Sequence, residues 1–101
     1  MAPQDFCQAL QNNDRPALKK AIDRELAKLD PAGDQERIFQ TFKEWLERHA
    51  CVASVDIGRG VLRSDPPIKE FTVTLRAPRD GKATRDIGIR LPPKRFEFDA
   101  K

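Results

Sequence analysis

Apolar residues recur at steps of three and four through the first half of the chain and at steps of two through much of the second. The period changes just after His49. Phe6, Ala9 and Leu10 share one side of a short helix predicted from Pro3 to about Gln11. Asn12-Asn13-Asp14 breaks that helix and offers a cap, and Pro16 sits in the first turn of the next. Ala17, Leu18, Ala21, Ile22, Leu26 and Leu29 form the stripe of the second helix, while Arg15, Lys19, Lys20, Asp23, Arg24 and Lys28 fill its polar side. Asp30-Pro31 ends it and can open a third helix, with Asp34, after Gly33, as a second candidate cap. The third helix aligns Ile38, Phe39, Phe42, Trp45, Leu46 and His49, with Glu36, Lys43, Glu44, Glu47 and Arg48 facing water.

In the second half, Cys51, Ala53, Val55 and Ile57 alternate with Val52, Ser54 and Asp56 and predict a strand. Gly58-Arg59-Gly60 reads as a bulge or bend and Asp65-Pro66-Pro67 as a turn. Phe71, Val73 and Leu75 mark a second strand, and Ile87, Ile89 and Leu91 a third that stops at Pro92-Pro93. Phe96 and Phe98 share a face if Lys94–Asp99 is extended, giving a short edge strand. The predicted fold is α+β: two to three N-terminal helices packed on one face of a three- or four-stranded antiparallel β-meander. With 101 residues, the chain is expected to be a single domain, residues 1–50 its helical part and 51–101 its β part.

Composition narrows the chemistry. No apolar run approaches a membrane span and no basic-then-apolar leader opens the chain, so the expected address is cytoplasmic and no membrane partner is implied. Cys7 and Cys51 make neither a disulfide scaffold nor a four-ligand zinc site, and the expectation is a reduced protein without metal or cofactor. Residues 1–50 carry 8 Lys/Arg against 9 Asp/Glu, whereas residues 51–101 carry 11 against 7. The basic character therefore belongs to the second half, where Arg76, Arg79, Lys82, Arg85 and Arg90 are the candidate binding residues for an acidic partner.

Catalytic readings are thin. His49 near Cys51 could form a nucleophile–base pair, but a histidine at a helix C-terminus also interacts favourably with the helix dipole, and that reading is preferred. Gly58-Arg59-Gly60 precedes an extended stretch rather than a helix, so it lacks the context of a dinucleotide fingerprint. Carboxylates such as Asp23, Glu25, Glu44 and Glu47 lie on helix faces beside opposite charges. The expectation is a small non-catalytic interaction domain that binds a protein through its open sheet face and basic loops. The alternatives are a nucleic-acid-binding domain using the Arg/Lys-rich β half, with Phe96 and Phe98 as the stacking candidates, and an enzyme with a cysteine nucleophile.

Two geometric expectations follow. A two-residue Asp80-Gly81 turn would set Leu75 opposite Asp86, mixing apolar with polar faces, so an odd-length connection or a bulge is expected within 77–85. The favoured pairs are Leu75 with Ile87, Val73 with Ile89 and Phe71 with Leu91, placing Arg76 opposite Asp86. Arg79, Lys82 and Arg85 would then project as a mobile basic tip, replaceable by Glu with little effect on folding. Segment 51–57 has no basic residue, so if it lies at a sheet edge a two-fold homodimer is expected.

Overall fold

A computed structural model describes residues 4–63, 66–76, 84–92 and 95–99. Among these, three helices precede four strands: α1 (Gln4–Asn12), α2 (Arg15–Leu26), α3 (Gln35–Glu47), β1 (Val52–Ile57), β2 (Ile68–Leu75), β3 (Thr84–Arg90) and β4 (Glu97–Asp99). The strands form an antiparallel meander in the order β1-β2-β3-β4, and the helices pack against the sheet. The α+β arrangement predicted from periodicity is the one observed.

Local chemistry sets the helix ends. Asn13 adopts φ 50°, and α1 closes with Asp14 N donating to Ala9 O at 2.9 Å and Asn13 N to Leu10 O at 3.2 Å. The Asp14 carboxylate then accepts from Ala17 N at 3.2 Å and starts α2. Asp34, not Asp30, caps α3, accepting from Glu36 N at 3.1 Å; Asp30 is occupied by its own turn, accepting from Ala32 N at 2.9 Å. Leu29 lies beyond the end of α2 yet still packs against the core.

The core joins three layers of side chains. Leu18, Ile22 and Leu26 of α2 and Ile38, Phe42 and Leu46 of α3 are buried over the inner sheet face. Phe42 meets Phe71 edge-on with ring centroids 5.0 Å apart, and Phe6 reaches Trp45 at 5.1 Å, so aromatic contacts run from α1 through α3 to β2.

Three expectations are corrected. A bulge between Val52 and Ser54 reverses the phase at the start of β1, so Val52 is buried opposite Leu75 while Ala53 is exposed. The β2–β3 pairing keeps apolar face on apolar face, but β3 is displaced by four residues: Phe71 pairs with Ile87 rather than Leu91, Val73 with Arg85, and Thr72 with Asp86. In the observed register each strand carries a long basic side chain on the inner face, Lys69 on β2 and Arg85 on β3, both buried. Finally, Cys7 and Cys51 are not free thiols. They form a disulfide between α1 and the entry to β1, with Cα atoms 5.8 Å apart across 44 residues of sequence.

Candidate functional site

Of the five expected basic residues, Arg76, Arg85 and Arg90 lie among the described residues, and each has a different role. Arg85 is 5% exposed. Its Nε donates to Leu10 O at 2.8 Å and its guanidinium to Gln11 O and Thr84 O at 3.0 Å. These first two carbonyls close α1, where a cation is favoured by the helix dipole. Arg85 therefore anchors helix to sheet, and the expected indifference of folding to its replacement by Glu is overturned. Arg90 is committed to Asp99 at 3.3 Å and Glu97 at 3.6 Å on the outer sheet face. Arg76 is exposed just past β2 and gives its backbone N–H to Cys51 O, 2.8 Å away; it does not pair with Asp86. Arg79 and Lys82 lie outside the described residues, as do residues 77–83 of the connection expected within 77–85.

The catalytic and stacking candidates are also accounted for. Cys51 has no thiol while it is bonded to Cys7. The His49 ring lies 4.4 Å from Phe6 and 4.9 Å from Trp45, with Nδ1 3.3 Å from Leu46 O at the end of α3. Phe96 and Phe98 are 4% and 1% exposed, so neither offers a face to a base. Among the described residues no helix is long and apolar enough to cross a membrane.

The outer sheet face is polar, opposite the inner face that the helices cover. Alternation places Asp56 of β1, Glu70 of β2 and Asp86 of β3 on it, all exposed, with Thr72 between Asp56 and Asp86. Glu97 and Asp99 of β4 continue the row beside Arg90. Asp56, Glu70 and Asp86 have no ion-pair partner among the described residues. Although the β half is basic by composition, the face it presents is acidic.

The two edges of the sheet differ. At β4, the backbone of Phe98 points away from β3, and α2 meets it: Phe98 N donates to Asp23 Oδ1 at 2.8 Å, while Lys19 Nζ donates to Phe98 O at 3.3 Å. One step along, Arg15 donates to Asp86 O at 3.1 Å and stacks over the Phe98 ring at 5.0 Å. Arg15, Lys19 and Asp23 are spaced by four, so one stripe of α2 stands where a fifth strand would bond. By its pattern in the sequence this stripe belongs to the helix's polar side. Its signal was its position beside the buried Leu18-Ile22-Leu26 row.

Charge at this edge is coupled. The hydrogen bond to Asp23, aided by the Asp23 and Glu97 charges and opposed by desolvation, raises Lys19 above the usual lysine range. The hydrogen bond from Arg95, with the charge of Lys19 and against desolvation, lowers Glu97. A neighbouring cleft of about 390 Å³ lies between α2 and β4, lined by Leu26, Leu29 and Phe96; its polar groups Asp23, Arg95 and Glu97 already bond one another's neighbours or each other. At the other edge, no side-chain hydrogen bond from a helix reaches the backbone of β1 among the described residues.

Comparison with family models, curated proteins and solved structures returns no match. A functional reading therefore rests on this surface alone.

Proposed function

We propose that the protein is a non-catalytic interaction domain whose outer sheet face binds a basic, Lys/Arg-rich segment of a protein partner. The observation that carries this reading is the row of uncompensated carboxylates, Asp56, Glu70 and Asp86, on an exposed face. A basic segment laid across it would gain charge complementarity and faster association at low salt. The same face would repel a phosphate backbone, and the burial of Arg85 and the pairing of Arg90 withdraw two of the cations that a nucleic-acid surface would use. The Cys7–Cys51 bond supports an oxidising compartment in place of the cytoplasmic address expected from sequence, because such bonds persist where thiols are not kept reduced.

The test uses the oxidised full chain and an oligolysine peptide. Backbone amide shifts on addition of the peptide are expected at Asp56, Glu70 and Asp86, with binding weakened by salt and abolished in E70K/D86K. A single-stranded oligonucleotide should not bind. Tight, salt-steep oligonucleotide binding, or oligolysine binding that E70K/D86K leaves intact, would overturn the reading.

A further inference from the structure

The β1 edge has free backbone groups in a regular row. Gly58 N donates to Glu70 O at 2.8 Å and Cys51 O accepts from Arg76 N at 2.8 Å, fixing which positions of β1 face β2. With Asp56 paired to Thr72 and Ser54 to Thr74, the even positions bond inward. The N–H and C=O groups of Val55 and Ile57 therefore point away from the sheet, and nothing among the described residues bonds them. The strand Val-Ala-Ser-Val-Asp-Ile also lacks Lys, Arg, Pro and Gly, the residues that discourage edge pairing.

We propose that β1 pairs antiparallel with β1 of a second copy of this chain, about a two-fold axis at Val55. The occupant follows from self-complementarity. Free groups meet only when odd positions pair with odd positions. An axis at Asp56 opposes two carboxylates directly, which is unfavourable. An axis at Ser54 brings the bulge between Val52 and Ser54 into the centre of the ladder. An axis at Ile57 draws in the bend at Arg59 and Gly60. An axis at Val55 sets Val55 against Val55, and Ser54, a hydroxyl donor, against Asp56 of the second copy. It also brings half-buried Ile57 beside Ala53 of that copy. The ladder is short, so the dissociation constant is on the order of 100 µM.

The experiment is sedimentation equilibrium of the oxidised full chain from about 10 µM to about 1 mM, spanning that constant. The mass should rise from 11.5 kDa toward twice that value. S54D places an aspartate opposite Asp56 at both ends of the ladder and should weaken the dimer roughly tenfold. S54D/D56K restores opposite charges and should recover it. Hydrogen exchange on the unmodified chain gives a readout independent of any variant: the Val55 and Ile57 amides should be protected at high concentration and fast at low. A chain that stays monomeric at the upper concentration, a dimer indifferent to S54D, or exchange at Val55 that ignores concentration overturns the proposal. The E70K/D86K variant leaves β1 untouched and should still dimerise, so this result and that for the outer face are read separately.

Discussion

Replacing Arg85 with methionine tests whether a cation at the tip of a strand is in fact a structural tie. The substitution keeps an apolar stem of similar length and removes the guanidinium. The bonds from Nε to Leu10 O at 2.8 Å and from Nη2 to Gln11 O at 3.0 Å are lost, leaving these carbonyls at the end of α1 without these donors. Hydrogen bonds to a charged group contribute about 1.5–3 kcal/mol each. Methionine is spared the cost of burying a cation, which offsets part of the loss, so the expected net destabilisation is about 3 kcal/mol. In urea, with a slope of about 1–1.5 kcal/mol/M for a chain of this size, the midpoint should fall by roughly 2 M. R85K keeps the charge without the planar fork and should lose about half as much. Equilibrium unfolding followed by circular dichroism, with the disulfide oxidised, measures all three proteins. An R85M midpoint within about 0.5 M of wild type would show that the guanidinium is not a tie and refute the reasoning.

Reduction of the Cys7–Cys51 bond should lower stability by about 4 kcal/mol, the chain-entropy value for a closure of 44 residues, and unfolding with and without reductant measures it; unchanged unfolding would contradict that estimate. D23A removes the acceptor for Phe98 N and a partner of Lys19, so the Phe98 amide should exchange faster and stability should fall by about 1–2 kcal/mol; a protected Phe98 amide in D23A would count against the α2 seal. The lowered pKa of Glu97 gives a signed pH dependence: its contribution is present above the ordinary glutamate range and is lost as pH falls through the lower folded value. E97Q should therefore flatten the acid limb of stability, and wild-type and variant limbs that superimpose would exclude the coupling. Lys19 acts at the opposite end, its contribution present below the ordinary lysine range and lost as pH rises through its raised folded value.

What could be read from the residues, and what could not, divides along physical lines. The α3 stripe, the Asp14 cap and the parity of β2 against β3 follow from periods and short-range bonds, and the chain carries those locally. The expected β2–β3 register rests on apolar residues alone, with Leu75 opposite Ile87, Lys69 outside the pairing and Arg85 in the connection. Yet Arg85 keeps phase with Ile87 and Ile89, and Lys69 with Phe71 and Val73, so alternation alone placed both inside. The partners that make the burial of these cations tolerable, the end of α1 for Arg85 and Gly60 O at 3.0 Å for Lys69, are remote in sequence or lie in a loop. The bulge after Val52 and the disulfide were illegible for a related reason: each is fixed by contacts that a linear pattern does not contain. The acidity of the outer face was hidden by averaging charge over sequence, since half the basic residues of a strand pair can turn inward or pair while the acids remain outside.

The seal that α2 places on β4 also sets a valence. A sheet with two available edges can add strands at both sides, and each addition exposes a fresh edge, which is the geometry of a fibre. Here Arg15, Lys19 and Asp23 occupy Asp86 O, Phe98 O and Phe98 N at one side, which leaves β1 as the edge proposed to accept a strand. An identical chain added at β1 brings its own sealed edge outward, and growth stops there. In the proposed dimer Lys19 and Asp23 would act as a chain terminator: their removal would change not the affinity of the first pairing but the number of molecules that can follow it.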